Sequence, residues 1–275
     1  MPPTVAVLHP GEMGAAMAAI AVRNTEQLSW LSTDRSQATT KRAAAAGLTA
    51  VSKLDDIVEA DIVLSICPPA YAEAVASEIA GAGFSGLYVD ANAISPQRAA
   101  TIARKFDNFV DGAIVGPPPT NQRRNRFYLS GQADHVSTVA ALFRESQVAT
   151  IDLGTETGAA SALKMAYGGY NKATWALAAV AHALAAQYGV TEHLLAEGAR
   201  TTTSALSELD SLPSMVGRAW RWAPEMLEVA DTMRAAGLPD DFGRAAAAVL
   251  EHWSGDKDDP GITAEEFFER LRHDQ

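Results

Sequence analysis

The sequence predicts an α/β fold: a doubly wound, mostly parallel sheet in the N-terminal half, followed by an all-α C-terminal domain. Three observations predict it. Short β-branched runs alternate with helix-period segments up to about residue 154. Beyond that point the strand signal vanishes and alanine-rich helical stretches follow one another. At the start of the chain, an apolar run leads straight into a glycine turn and a small-residue helix.

That first run, Val5-Ala6-Val7-Leu8, reads as a buried strand, and His9-Pro10-Gly11-Glu12-Met13-Gly14 as the turn that opens a helix. Further strands are expected at 28–31, 61–66, 86–90, 108–115, 126–130 and 148–153. Helices are expected between them at 39–46, 70–80, 97–105 and 134–144. Ser95-Pro96 supports the third of these, with an N-cap serine and proline at the first helical position. In the second half a long helix is expected over 158–188, stopped by Gly189. Helices at 192–209, 214–222, 224–236, 240–253 and 263–272 follow, with Pro224 opening its helix and Thr263-Ala264-Glu265-Glu266 forming a capping box. Two domains result, 1–154 and 155–275. The second is poor in bulky apolar residues, so a homodimer formed through it is expected.

Composition narrows the functional classes. A formal net charge of -11 argues against nucleic acid and anionic membrane as partners. No charged and then apolar leader is read at the N-terminus. The apolar stretch over 173–186 is too short to span a bilayer. One cysteine, Cys67, excludes an internal disulfide framework, and the six histidines show no metal-ligand spacing. A cytoplasmic protein acting on a small molecule is the expectation, with no metal.

The chemistry-bearing residues lie where strands end, as ligand sites do in open α/β sheets. The turn of His9, Pro10, Gly11, Glu12 and Met13 has the form of a phosphate cradle of the Rossmann type. Gly11 lets backbone approach a pyrophosphate, Gly14 lets the helix pack on the strand, and the helix N-terminus offers N–H groups to an anion. His9 stands where such a turn usually has its first glycine; a tight turn that binds nothing is the competing reading. After the second strand comes Ser32-Thr33-Asp34-Arg35-Ser36. Arg35 suits a 2′-phosphate, with Ser32, Thr33 and Ser36 as further donors, which favours NADP. Asp34 would suit the plain hydroxyl of NAD. Cys67, Pro68 and Pro69 give a rigid wall against a cofactor, with Cys67 packed rather than nucleophilic. Asn92 can hydrogen-bond a ribose or carboxamide, and Asp90 caps a turn.

The Met13-Gly14 turn, Asp90-x-Asn92-x-Ile94-Ser95-Pro96, Asp111-Gly112-Ala113-Ile114-Val115-Gly116-Pro117 and Gly158-Ala159-Ala160-Ser161-Ala162-Leu163-Lys164-Met165 occur in that order. Together they resemble the 6-phosphogluconate dehydrogenase and β-hydroxyacid dehydrogenase superfamily over nearly the whole chain. More narrowly, the Asp-Ala-Asn-Ala-Ile-Ser-Pro wording, Tyr128-Leu129-Ser130-Gly131 and Lys164-Met165-x-Tyr167 resemble a phosphogluconate-dehydrogenase-like NAD(P)-binding branch. The resemblance implies a dehydrogenase or reductase of β-hydroxyacid dehydrogenase type. In it Lys164 is the general acid/base, and Asn92, Val115, Gly116, Pro117, Tyr167 and Gly168 face the substrate.

The residues make their own case for Lys164. Hydride loss from an alcohol needs a base for the hydroxyl proton, and the reverse needs an acid. Gly168, Asn171 and Lys172 share its helix face one or two turns on. Gly168 and Gly169 each cost about 1 kcal/mol in a helix, which points to a need for space. A snorkelling surface lysine is the competing reading. Two departures bear on the substrate: Val115 stands where the resemblance has a serine, and Gly168 where it has an asparagine, with Asn171 as the substitute. Both imply a rebuilt pocket for something bulkier or less polar than a simple hydroxy acid. An imine reductase, a decarboxylating sugar-acid dehydrogenase and an idle NADP-binding redox sensor are the rivals. Imine reductases generally lack the lysine.

Overall fold

The computed structural model describes residues 1–200, 209–235, 237–256 and 262–270. The strands are β1 (Thr4–Leu8), β2 (Gln27–Leu31), β3 (Thr49–Val51), β4 (Ile62–Ser65), β5 (Leu87–Asp90), β6 (Phe109–Val115), β7 (Asn125–Gly131) and β8 (Val148–Asp152). Helices α1 (Glu12–Ala21), α2 (Gln37–Ala45), α3 (Asp55–Val58), α4 (Ala72–Gly81), α5 (Pro96–Ala103) and α6 (Ala133–Ala141) alternate with them. Then come α7 (Ala159–Gln187), α8 (Thr191–Arg200), α9 (Val216–Ala235), α10 (Asp241–Glu251) and α11 (Ala264–Arg270). The expected helix over 192–209 is found as far as Arg200; 201–208 and 271–272 of the expected elements lie outside the described residues.

Among the described residues the strands form one sheet in the order β3-β2-β1-β4-β5-β6-β7-β8. Pairing is parallel from β3 through to β6, β7 runs antiparallel to β6, and β8 is parallel to β7. The chain order therefore reverses between β1 and β4, where an open sheet of this kind parts into a crevice. This is the doubly wound sheet that the strand–helix alternation predicts.

Both faces of the sheet are covered, which is why its central strands are apolar throughout rather than alternating. Val5, Val7, Leu64, Val89 and Phe127 pack with Met17, Ala43 and Val139 on one face. Ala6, Leu8, Val63 and Tyr88 pack with Ile57, Ile79 and Ile102 on the other. One register row interrupts this apolar pattern. Leu8, Ser65, Asp90, Asp111 and Ser130 are successive cross-strand partners, and the four polar members are 0% exposed. Buried polar groups persist only where their hydrogen bonds are met.

The chain divides into two compact units, Met1–Tyr170 and Asn171–Gln275, the division falling within α7. In the second unit Val216, Ala219, Ala223, Leu250, Trp253 and Phe267 form a core. Trp253 and Phe267 stack at 4.4 Å in near-parallel planes. The expectation that Pro224 opens a helix is corrected: it lies inside α9, which runs unbroken from Val216 to Ala235. Its missing N–H and ring clash cost about 3 kcal/mol. The buried stripe Val216, Ala219, Ala223, Ala230 and Met233 continues across it and outweighs that cost. The capping box at α11 forms, with Thr263 N donating to Glu266 Oε2 at 2.8 Å and Glu266 N to Thr263 Oγ1 at 3.2 Å. Among the described residues, no helix is long and apolar enough to cross a membrane.

Candidate active site

The turn after β1 is held by local backbone. Gly11 N donates to His9 O at 2.6 Å, and Ala15 N to Gly11 O at 2.9 Å as α1 begins. His9 has φ +59, the left-handed conformation that glycine takes without penalty. A histidine thus stands in a glycine's backbone state, at a cost of roughly 1–2 kcal/mol. Gly14 is required on packing grounds, since a Cβ there would lie 3.0 Å from His9 O and 3.7 Å from Ile66 Cβ. Arg42 of α2 adds a tie that the sequence does not reveal: its Nη1 donates to Pro10 O at 3.2 Å.

At the reversal between β1 and β4 lies a cavity of about 340 Å³. His9, Gly11, Met13, Arg35, Cys67 and Pro68 line it, together with Gly14, Thr39 and Ile66. Six of the twelve expected cofactor residues therefore meet in one place. Pro10 is buried behind the turn and Glu12 is exposed at the first turn of α1. Ser32 and Thr33 spend their hydroxyl protons on Val51 O and Ser52 O at 2.9 and 2.8 Å, which ties this loop to β3 and its exit. Pro69 opens a short turn and accepts from Arg98 Nη2 at 2.9 Å.

Asn92 sits behind this wall rather than on it. Its Nδ2 donates to Ser65 Oγ and to Asp90 Oδ2, both at 3.0 Å, and its Oδ1 accepts from Cys67 N at 2.6 Å. Both amide hydrogens are thereby engaged within the fold. Burial pushes Asp90 up to about 6, against the bonds from Asn92 that lower it, with the Asp111 charge raising it further. Burial likewise raises the Cys67 thiol to about 11, so it is neutral and packed. His9 is held down at about 4, chiefly by burial and then by the Arg35 charge. It is neutral at pH 7, and its buried Nδ1 makes no hydrogen bond among the described residues.

The second group of expected residues gathers at the end of β6. Val115 is the buried last residue of the strand, and Gly116 and exposed Pro117 follow it. Lys164, half-buried on α7, donates from Nζ to Ile114 O. Its helix is fixed to the same strand one turn earlier. Ser161 N and Oγ donate to the two oxygens of Asp111 at 2.8 and 2.6 Å, and Ala160 N donates to Ser130 Oγ at 3.3 Å. Gly158, φ +97, permits this start, since a Cβ there would lie 3.1 Å from Pro96 Cβ. Because β1, β4, β5 and β6 are parallel, Lys164 stands at the same carboxyl edge as the His9–Cys67 cavity. Tyr167 is exposed, a Cβ at Gly168 would meet no atom within 4 Å among the described residues, and Asn171 is exposed in the second unit.

Residues 185–253 match a family model described as a domain of unknown function, DUF1932, a C-terminal domain of 6-phosphogluconate-dehydrogenase-like proteins. An uncharacterized 28.5 kDa protein of Methanothermus fervidus is 31% identical over 164 residues, which is 58% of this chain and 62% of that protein's length. Among solved structures, a conserved protein of unknown function with similarity to 3-hydroxyacid dehydrogenases is 25% identical, with 92% of this chain and 98% of that chain covered and a TM-score of 0.59. An imine reductase of Myxococcus stipitatus shares the fold at 18% identity, covering 97% of this chain and all of that one with a TM-score of 0.73, in complex with NADP+. A variant of the same enzyme, in complex with NAD+, matches at 19% identity and a TM-score of 0.74, covering 98% of this chain and 100% of that one. These likenesses support the 6-phosphogluconate dehydrogenase and β-hydroxyacid dehydrogenase superfamily for this chain.

Proposed function

We propose that this protein is an NADP-dependent oxidoreductase that interconverts a small organic alcohol of the hydroxy-acid kind and its carbonyl, with Lys164 as the general acid/base. The observation that carries the reading is the half-buried Lys164 amine, held on Ile114 O at the carboxyl edge that also bears the β1–β4 cavity. Three features of that cavity fit a dinucleotide. It lies where the strand order reverses, its turn and helix approach as closely as Gly14 allows, and His9 and Arg35 both line it. Solved structures of the same fold bind NADP+ or NAD+.

A bound nicotinamide dinucleotide would supply the hydride donor or acceptor. Gly11 and the first turn of α1 would meet its pyrophosphate, Arg35 a 2′-phosphate, and Pro68 the face of a ring or sugar. Lys164 would give a proton to the carbonyl oxygen in reduction and take it from the hydroxyl in oxidation. Asn92 would act through the Cys67–Pro68 loop that it holds. Val115 and Gly116 would line the floor beside the amine without offering the substrate a hydroxyl. We place the protein in the cytoplasm and propose a homodimer, the latter supported by the exposed apolar side chains Tyr188, Val190 and Leu195 of the helical unit.

The test is Lys164→Ala. With a panel of hydroxy acids, ketones, aldehydes and cyclic imines followed at the NADPH absorbance, turnover should fall about a hundred-fold to ten-thousand-fold. NADPH binding should persist. Turnover of cyclic imines that ignores the substitution would favour an imine reductase, and NADPH binding with no turnover of any substrate would favour a redox sensor.

A further inference from the structure

We infer that His9 is a specificity residue for the cofactor: its imidazole takes up a proton from solvent as it and Arg35 together seat the 2′-phosphate, so that NADPH but not NADH binds with proton uptake. The inference rests on the dinucleotide reading of the β1–β4 cavity and goes beyond it.

Geometry puts this side chain where no phosphate-cradling turn needs one. His9 holds the left-handed backbone state, φ +59, at the position where a glycine is free of strain. Strain of this kind in a non-glycine residue persists where its surroundings require the side chain. His9 lines the cavity at the end of β1, and Arg35 lines it from the loop after β2. Its Nδ1 is buried and makes no hydrogen bond among the described residues, although an imidazole nitrogen in such a place normally has a partner. A guanidinium and an imidazole on residues that line one cavity form a seat for an anion with hydrogen-bond acceptors.

The groups around His9 decide the direction of its titration. Arg35 is the charge that acts on it, and it lowers the ring's pKa alongside burial. Cys67, on the β4 side, stays neutral because its thiol is raised to about 11. From α2, Arg42 approaches the turn at Pro10 O. The carboxylates of the adjoining turns, Glu12 and Asp34, are exposed and do not line the cavity. Before binding, therefore, His9 shares the cavity with the Arg35 cation and an uncharged thiol, and it stays neutral. A phosphate dianion on Arg35 cancels that field and offers oxygen acceptors to a protonated ring, which raises its pKa. By linkage, a ligand that raises a group's pKa binds more tightly as the pH falls toward that pKa.

The test measures dissociation constants of NADPH and NADH by fluorescence titration, from about pH 7.5 to about pH 5.5. Wild type is compared with His9→Gly and His9→Asn. Glycine removes the ring and relieves the backbone; asparagine tolerates the left-handed state and bonds without titrating. The variants also carry the phosphate's own titration near pH 6, so the ratio to wild type isolates the imidazole. The affinity of wild type for NADPH, relative to either variant, should rise about tenfold across this range if binding returns His9 to its ordinary value of 6.5. The same ratio for NADH should stay flat. A flat ratio for NADPH overturns the inference and leaves the dinucleotide reading standing. An equal rise for NADH overturns the assignment to the 2′-phosphate. Absence of binding by all three proteins at every pH overturns both the inference and the reading beneath it.

Discussion

Asp111 on β6 and Ser161 on α7 are joined twice, Ser161 Oγ donating to Oδ1 at 2.6 Å and Ser161 N to Oδ2 at 2.8 Å. A buried carboxylate thus satisfies orphan N–H groups at a helix start and faces its positive dipole end. Three residues further along both elements, Lys164 meets Ile114. Strand and helix are in step, and the carboxylate sets where the amine falls.

Replacing Asp111 should therefore cost more than replacing Ser161. Asp111→Ala leaves Ser161 and Ser130 without their acceptor in a buried place, an expected loss of about 3 kcal/mol in urea unfolding. Ser161→Ala deletes one bond to a charged acceptor and should cost about 1.5 kcal/mol. Both should speed modification of Lys164 by amine reagents, read by mass spectrometry. Unchanged Lys164 reactivity in two folded variants would separate the clip from the amine.

The other buried carboxylate of the polar row predicts a pH dependence. Asp90 titrates near 6 in the folded chain against an ordinary value of 3.8, so between these values the folded state holds more protons than the unfolded one. Its contribution to stability is complete below 3.8 and is lost as the pH rises through 6, a swing of about 3 kcal/mol. His9, with a lowered value, works in the opposite sense over an overlapping range, its contribution being lost as the pH falls from 6.5 toward 4. The difference between wild type and Asp90→Asn isolates the carboxylate. In urea titrations the advantage of wild type should shrink from pH 4 to about pH 6.5 and then level off. A difference that grows with pH refutes the assignment.

Local sequence carried much of this molecule and failed in identifiable places. The central strands β1, β4 and β5 are legible because burial on both faces leaves each a nearly continuous apolar run. Thr49–Val51 escapes notice because it is a three-residue edge strand with two exposed members. Asp55–Val58 is a single helical turn. Pro224 misleads because its local meaning, a helix start, is overridden by a buried stripe on both sides of it. At the candidate site, Gly11, Arg35 and Pro68 are visible as residue types at strand ends. The hydrogen bonds that commit Asn92, Asp111 and Arg42 join residues far apart in the chain, and no local pattern encodes them. Ser32 and Thr33 show the converse: their hydroxyls look available in the sequence and are used within the fold.

Arg42 leads to a prediction about the turn itself. Its single bond to Pro10 O is worth about 1 kcal/mol. Arg42→Ala should leave the sheet intact and lower thermal stability only slightly. Under the proposed function it should weaken NADPH and NADH alike, by about fivefold, because it loosens the shared turn. An effect confined to NADPH would assign Arg42 to the 2′-phosphate instead.

Two helical glycines with opposite surroundings give the last prediction. At Gly14 a Cβ would press on His9 O at 3.0 Å, whereas at Gly168 it would meet no described atom within 4 Å. Alanine is favoured over glycine in a helix interior by about 1 kcal/mol. Gly168→Ala should therefore raise stability by about 0.5–1 kcal/mol. Gly14→Val, which adds a branched side chain against backbone, should lower it by about 2 kcal/mol and weaken dinucleotide binding. If the space at Gly168 is kept for substrate, the stabilised Gly168→Ala protein should bind NADPH normally and show a raised KM. A gain in stability with unchanged KM would show that the glycine serves no substrate, and loss of stability would show that α7 is pressed there by a neighbour.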